Sequence, residues 1–309
     1  MTGTEHHFPG PVFVGGPGRS GTHVMGRLVA AHPRYHMIRT EARFHAARGG
    51  LPDLLDGRVG MKAFLERMRG HWWKRGPRQN QGLQRLMGKR AYLAALEVFE
   101  EVYEVDPWAA SRQLIDATLG AAAEADGKPS WVEVTGDSVQ QASFLLRLYP
   151  RARFINMVRD GRAVVAGTLN KTNLTDDPMK ALAKWERMVR AADAVYRSAP
   201  AGSMLVMPLD HIVALDRDRS LRRVVDFLEI DDDEPMRLYQ EQAISADRAH
   251  VGRWRERMAP ADARAVDRRY RRLVRRLQRA GIDWAPTPEA SAGLRRRLGT
   301  GGLRPARPE

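Results

Sequence analysis

The chain has 309 residues, and its 51 Lys and Arg residues outnumber its 37 Asp and Glu residues, which gives a formal net charge of +14. Hydrophobic residues make up 43% of the sequence, enough for the core of one large or two small domains. Cysteine is absent, which excludes a disulfide framework, a thiolate zinc site, an iron–sulfur cluster and a cysteine nucleophile. The N-terminus lacks a signal-peptide pattern and no apolar run is long enough to span a bilayer, so we expect a cytoplasmic protein.

Strands and helices alternate along most of the chain, which predicts an α/β fold with a parallel sheet flanked by helices. A strand over residues 11–16 precedes a glycine loop and a helix over Thr22–Ala31. Further strands are predicted over 130–134, 153–158 and 204–207, and further helices over 139–149, 161–169 and 177–197. Ligands of such sheets bind at the carboxyl ends of the strands, so the glycine loop is the first place to look for a site.

Residues from about 45 to 128 interrupt the alternation, and their helical spacing predicts a helical insert. The simplest interpretation is a single domain over 1–290, followed by a basic tail over 291–309 that we expect to be disordered. The insert contains three tryptophans: Trp72, Trp73 and Trp108. We expect them to pack in a core, and the alternative is an aromatic wall for an apolar or planar ligand.

Positive charge is concentrated near the C-terminus, where residues 248–309 contain 17 Arg and no Lys against six acidic residues. One interpretation is a surface that binds nucleic acid or an anionic membrane. We favour the solvated face of a packed helix, because apolar residues recur among these arginines at helical spacing. Those apolar residues are Val266, Tyr270, Leu273, Val274 and Leu277.

The loop after the first strand reads Gly15-Gly16-Pro17-Gly18-Arg19-Ser20-Gly21-Thr22-His23. Backbone N–H groups in such a turn and the positive end of the following helix form a phosphate-sized anion site. The P-loop pattern of nucleotide triphosphatases fails here, because Thr22 stands where lysine is required and His23 where Ser or Thr is required. The cation lies earlier, at Arg19. A packing turn without a ligand is the alternative.

The Arg19-Ser20-Gly21-Thr22 loop resembles that of the sulfotransferase superfamily, which holds the 5′-phosphosulfate of 3′-phosphoadenosine 5′-phosphosulfate (PAPS). The resemblance covers about residues 11–258 and is to bacterial and tyrosylprotein-type members. The segments that carry it, in the family's order, are residues 21–28, Ala31-His32-Pro33, Glu41-Ala42-Arg43-Phe44, residues 148–162, Asp226-Phe227-Leu228 and residues 252–255. It implies a P-loop-like sheet and metal-free transfer of a sulfuryl group from PAPS to a hydroxyl or, in second place, an amine of a small-molecule or lipidic acceptor.

The resemblance also implies roles for individual residues. The residues expected to bind PAPS are Gly18, Arg19, Ser20, Gly21, Thr22, His23, Arg159, Thr168 and Arg253, with Arg159 at the 3′-phosphate. Arg19 would stabilise charge on the leaving phosphate oxygen, and Glu41 would be the general base, with His23 and His45 as rivals. A carboxylate of ordinary pKa is a weak base for an alcohol, so we expect either burial to raise the Glu41 pKa or a late proton transfer.

Two positions depart from the family pattern. Gly167 stands eight residues after Arg159, where the family has a serine, and Thr168 follows it. Val134 stands where many relatives carry a lysine, so Arg43 and His23 are the candidates to supply that charge.

Two other function classes compete with the sulfotransferase interpretation. One is a P-loop-type nucleotide kinase or triphosphatase, and the other is a non-enzymatic binder of nucleic acid or an anionic membrane through the Arg-rich C-terminal region. For the sulfotransferase we expect no nucleic-acid partner, and the basic C-terminal region leaves peripheral membrane contact open.

Overall fold

A computed structural model describes residues 10–76, 81–169 and 175–290. Within these ranges, five parallel strands form one sheet in the order β2-β3-β1-β4-β5. The strands are β1 Val12–Gly15, β2 Tyr35–Met37, β3 Ser130–Val134, β4 Arg153–Val158 and β5 Met204–Pro208. The predicted α/β fold with a helix-flanked parallel sheet is confirmed. The predicted tail over 291–309 lies outside the described residues.

Strand β1 lies at the centre of the sheet, where Val12 pairs with Val132 of β3 and with Arg153 of β4. Phe13 packs in the core on one face of the sheet, and Val12 and Val14 pack in the core on the other. This burial on both faces explains the uninterrupted apolar run of a central parallel strand. Because β3 and β4 lie on opposite sides of β1, the chain leaves its carboxyl end at a topological switch point, where ligands of such sheets bind.

Helix α1, Thr22–Ala31, follows β1 with the predicted bounds. The helices between β2 and β3 are α2 Leu51–Leu55, α3 Met61–Arg67, α4 Lys89–Tyr103, α5 Pro107–Ile115 and α6 Ala121–Ala125. Trp72 and Trp73 are buried in the core between these helices and the sheet, where Trp73 stacks on Tyr92 with ring centroids 4.5 Å apart. Half-buried Trp108 lies under the Arg147 guanidinium. The core-packing prediction is therefore confirmed for Trp72 and Trp73.

The helices after β3 are α7 Ala142–Leu148, α8 Gly161–Leu169, α9 Pro178–Ser198, α10 Arg217–Leu228, α11 Glu234–Ala243 and α12 Pro260–Arg279. Helices α9 and α12 pack against α8 around Trp185 and Tyr270, which are both fully buried. The end of β4 is tied to α12 by ion pairs, because Arg162 contacts both Asp160 and Asp267. These contacts fix the chain that leaves the carboxyl end of β4.

The arginine-rich helix α12 is amphipathic, as its sequence predicts. Each of the five apolar residues of the predicted stripe is at most 2% exposed. The six arginines between them are exposed, and two form ion pairs, Arg271 with Glu289 and Arg276 with Glu186. The interpretation as the solvated face of a packed helix is thus confirmed. None of the helices in the described ranges has both the length and the apolar character needed to cross a membrane.

Candidate active site

The loop between β1 and α1 contains three residues with left-handed backbone: Gly16, Arg19 and Gly21, with φ of 120°, 69° and 86°. A Cβ atom at Gly16 would lie 2.2 Å from the Met157 carbonyl oxygen, and one at Gly21 would lie 2.5 Å from Leu209 Cδ1. Glycine is therefore required at Gly16 by the nearby backbone and by its own φ, and it is favoured at Gly21 chiefly by the left-handed φ. The loop is pressed against the ends of β4 and β5.

The N-terminus of α1 offers unsatisfied hydrogen-bond donors. Gly21 is its N-cap residue, no side chain caps the first N–H groups, and the first turn has no acidic residue. The hydroxyl of Ser20 is completely buried and has no hydrogen-bond partner among the described residues. Buried polar groups and helix N-termini are normally satisfied, so this arrangement suits a bound anion.

A cavity of about 290 Å³ adjoins this loop, and we call it the donor cavity. Six described residues with basic side chains line it: Arg19, His23, Arg159, Arg248, His250 and Arg257. No carboxylate lies among its described lining residues. Such a concentration of one charge attracts a multiply charged anion.

Arg159 follows β4 directly and is 9% exposed. Its Nη1 donates to the carbonyl oxygen of Arg19 at 3.1 Å, and its Nη2 donates to the carbonyl oxygen of Ala249. Its Nε has no hydrogen-bond partner among the described residues. Burial lowers the pKa of Arg159, an effect that nearby Asp210 opposes. Arg159 thus joins the glycine loop to the segment after α11 and keeps a donor for a ligand.

A second cavity, of about 450 Å³, lies on the other side of His23, and we call it the acceptor cavity. Glu41 lines it, 3.7 Å from His23 Nε2 through its Oε1 atom. His23 lines both cavities, so the two cavities share this side chain in their walls.

The loop that carries Glu41 is anchored to β3 by Glu133, a fully buried carboxylate. Its Oε1 accepts a hydrogen bond from the Ala42 backbone N–H at 3.2 Å, and its Oε2 lies 3.1 Å from His45 Nε2. His45 is itself fully buried and lines neither cavity. Its imidazole thus lies against Glu133 inside the fold.

Glu41 is surrounded by cations. Its Oε2 accepts hydrogen bonds from Arg43 Nη2 at 2.5 Å and Arg43 Nε at 2.9 Å, and it lies 3.8 Å from Arg75 Nη2. Burial alone would raise the Glu41 pKa, but His23, Arg43 and Arg75 together lower it to about 2. Of the two expected alternatives, the one in which burial raises this pKa is wrong, because the cationic partners outweigh desolvation.

The departure from the family pattern at Gly167 has a visible consequence. A Cβ atom at Gly167 would lie 3.3 Å from Arg19 Cβ, so the absence of a side chain there leaves room for Arg19. The Thr168 hydroxyl donates to the Val164 carbonyl oxygen of its own helix at 2.8 Å. Gly167 lines the donor cavity and Thr168 does not.

The structure brings to the cavities five arginines that the sequence does not single out. Arg39, Arg75 and Arg85 line the acceptor cavity, where Arg75 reaches Glu41, and Arg248 and Arg257 line the donor cavity. Arg253 was selected, but it pairs with Asp247 and is not among the donor-cavity residues. The Arg-rich composition after residue 248 was the only signal for Arg248 and Arg257, and composition does not tell which arginine faces a cavity.

Comparison with known proteins identifies the same family that the glycine loop resembles. The sulfotransferase family matches residues 11–234 of this chain. Protein-tyrosine sulfotransferase A of Caenorhabditis elegans is 24% identical over 241 residues, which are 76% of this chain and 54% of that protein. The chain thus spans about half the length of this curated relative. The sulfotransferase domain of the Synechococcus PCC 7002 olefin synthase has the same fold, with a TM-score of 0.51 and 18% identity over 86% of this chain and 96% of that domain.

Proposed function

The chain belongs to the sulfotransferase family, and we propose that it transfers a sulfuryl group from PAPS to a hydroxyl group, or in second place an amine, of an acceptor bound beside Glu41. The observation that carries this proposal is that the side chain of His23 lines both cavities. One is lined by arginines and by the glycine loop, and the other contains a carboxylate. A donor and an acceptor on either side of His23 would have their reacting atoms next to each other.

The donor cavity fits PAPS on three counts. The uncapped start of α1, where Gly21 and Thr22 line the cavity, provides neutral donors for the 5′-phosphate, together with Arg19. Arg159 retains an unpaired Nε for the 3′-phosphate. Arg248 and Arg257 add positive charge to the cavity wall. Arginine suits this task because its planar fork binds two phosphate oxygens at once.

PAPS, when bound, supplies the sulfuryl group and a phosphate as leaving group. Arg19 would stabilise the negative charge that develops on the leaving phosphate oxygen. Glu41 would accept the proton of the acceptor hydroxyl as the new bond to sulfur forms. With a pKa of about 2, Glu41 is a weak base while Arg43 holds it, so the proton passes late or after Arg43 has moved.

The proposal is tested by calorimetric titration with 3′-phosphoadenosine 5′-phosphate (PAP), beside ATP and 5′-AMP, without added metal. We expect PAP to bind more tightly than either competitor, and Arg159→Ala to weaken PAP by about 10- to 100-fold through loss of a charge-assisted hydrogen bond. Arg272→Ala, on the exposed face of α12, is the matched control and should bind PAP normally.

Equal binding of PAP, ATP and 5′-AMP would contradict the donor assignment. A requirement for Mg²⁺ and a nucleoside triphosphate would favour the nucleotide kinase or triphosphatase alternative instead. Binding of nucleic acid or anionic vesicles that weakens steeply with salt and persists in Arg19→Ala would favour the non-enzymatic alternative.

A further inference from the structure

The acceptor cavity has an unbalanced charge. The charged residues among its described lining are four arginines and a single carboxylate: Arg39, Arg43, Arg75, Arg85 and Glu41. The proposed function gives Glu41 a task that requires a free carboxylate oxygen. When Glu41 receives a proton from the acceptor, these arginines lose their one negative partner in the cavity wall.

Arg75 is the most informative of the four, because its side chain is only 10% exposed. Two backbone hydrogen bonds with Gln81, at 2.7 and 3.0 Å, fix its place in the insert. Its buried Nε has no hydrogen-bond partner among the described residues. Its Nη2 lies 3.8 Å from Glu41 Oε2, beyond hydrogen-bond distance. A buried guanidinium with unused donors is costly to keep unless something supplies the acceptor.

Other groups in the cavity respond to the same positive field. Burial lowers the pKa of Arg75, and nearby Arg43 lowers it further. Burial also lowers the pKa of His71, and Arg75 and Arg43 add to that effect. The lowered pKa favours the neutral form of His71, which is what a positive field in the cavity does to a nearby imidazole.

We propose that the acceptor carries an oxyanion group, a carboxylate or a phosphate, which binds between Arg43 and Arg75 while its hydroxyl faces Glu41. This inference rests on the proposed sulfuryl transfer and names the class of its acceptor. A volume of about 450 Å³ suits a small molecule. Both guanidinium groups already converge on the same oxygen of Glu41, so an anion from the acceptor can take the place of that oxygen.

The proposed binding mode also explains how Glu41 becomes a base. An acceptor anion that pairs with Arg43 withdraws this cation from Glu41, and the Glu41 pKa rises toward its ordinary value. In the transfer, a bond forms between the acceptor oxygen and sulfur while the bond between sulfur and the phosphate oxygen breaks. The hydroxyl proton passes to Glu41, and the leaving phosphate keeps the electron pair.

The test compares three small phenols that differ in charge: 4-hydroxybenzoate, 4-hydroxyphenyl phosphate and neutral 4-methylphenol. Each is titrated into the full-length protein saturated with PAP, at constant ionic strength, so that the donor cavity is blocked and screening is equal. We expect at least one anionic phenol to bind about 10-fold or more tightly than 4-methylphenol. The carboxylate and the phosphate arms show which anion fits.

Substitutions of single arginines show which side chain causes the preference for anionic phenols. Arg75→Gln should remove the preference for the anion, whereas Arg272→Gln, a matched change on exposed α12, should keep it. If circular dichroism shows that Arg75→Gln does not fold, Arg43→Gln replaces it, because Arg43 is half-exposed. This variant should also lose the preference for the anion. Equal binding of charged and neutral phenols by the wild type, or an undiminished preference in the folded variant, would overturn the inference.

Failure of this inference can be told apart from failure of the proposed function. If PAP binds only with its 3′-phosphate and the phenols bind equally well whatever their charge, the proposed sulfotransferase function stands and the anionic acceptor is wrong. If PAP does not bind, the titration is repeated without it, with Arg248→Gln of the donor cavity beside Arg75→Gln. An anion preference lost only in Arg75→Gln would then support the anion site and contradict the donor assignment.

Discussion

The ionisation of Glu41 shows how a few side chains set the chemistry of a site. Its carboxylate meets Arg43, Arg75 and His23 in a partly buried setting, and their positive charge prevails over desolvation. A carboxylate held in this way binds cations well and accepts protons poorly. The same residue can serve as an anchor in the free protein and as a base only when its partners are drawn away.

Glu41→Gln should separate binding from turnover. The amide keeps the size of the side chain but cannot accept the acceptor proton, so we expect kcat to fall by about 100- to 10,000-fold. The affinity for PAP should stay within about 2-fold, since Glu41 does not line the donor cavity. The rate at which PAP is released from PAPS in the presence of each phenol gives kcat, and calorimetric titration gives the affinity for PAP. Normal turnover in this variant would remove Glu41 as the base and leave His23 as the candidate.

The low pKa of Glu41 also predicts an acid-dependent stability. Its folded pKa of about 2 lies below the ordinary value of 4.5, so the ionised form stabilises the fold above pH 4.5 and this contribution is lost as the pH falls toward 2. The wild type should lose about 1 kcal/mol per pH unit relative to Glu41→Gln in that window. Urea unfolding of both proteins at pH 7, 4.5 and 3.5 measures the difference. A gap that stays constant over this range would mean that Glu41 is not held by its cations.

At the scale of single elements, the end of β3 and the loop after β2 behave as one unit. Glu133 accepts the Ala42 N–H and pairs with His45, and the hydroxyl groups of Thr135 and Ser138 also donate to it. All of these contacts are buried, and together they position the Glu41 loop over the sheet. A carboxylate is needed because it accepts several hydrogen bonds at once.

Glu133→Gln should therefore destabilise the protein by about 2–4 kcal/mol, because it removes the charge from a buried pair and turns one acceptor oxygen into a donor. Glu97→Gln, an exposed change on α4, should alter stability by less than about 0.5 kcal/mol. Urea denaturation of the three proteins gives both numbers. Equal stability of wild type and Glu133→Gln would show that the anchor is dispensable.

At the scale of the whole molecule, the net charge of +14 has two different origins. The arginines of the two cavities are gathered around walls whose described residues include a single carboxylate, Glu41, whereas those of α12 lie on an exposed helix face above an apolar stripe. Position in the fold, and not the local density of arginine, separates a ligand site from a solvated surface.

Substitution on the two faces of α12 should expose that difference. Tyr270→Ala removes a fully buried ring that packs on Trp185, and we expect a loss of about 3–5 kcal/mol in the free energy of unfolding. The combined change Arg268→Gln, Arg269→Gln and Arg272→Gln should leave stability within about 1 kcal/mol and PAP affinity unchanged. Thermal unfolding and PAP titration of both variants provide the check. A marked loss of PAP binding in the triple variant would assign the exposed face of α12 a part in the donor site.

Much of the donor side could be predicted from sequence because its signals are local. The apolar run of β1, the glycines at 16 and 21 and the start of α1 at Thr22 all follow from the conformations that neighbouring residues allow. The bounds of β3 and β4 agree with the predicted ones for the same reason.

The charge on the acceptor side was decided by tertiary structure. Arg75 reaches Glu41 only because the insert folds back over the carboxyl edge of the sheet, and no spacing in the sequence records that approach. Burial by itself would raise the Glu41 pKa, and cations that come from separate segments of the chain lower it instead. Sequence alone determined strands β1, β3, β4 and β5, the glycine loop before α1 and the solvated face of α12, because each depends on neighbours along the chain. Only the fold decided which arginines share a cavity with Glu41, because Coulomb interactions act across distances in space between residues far apart in the chain.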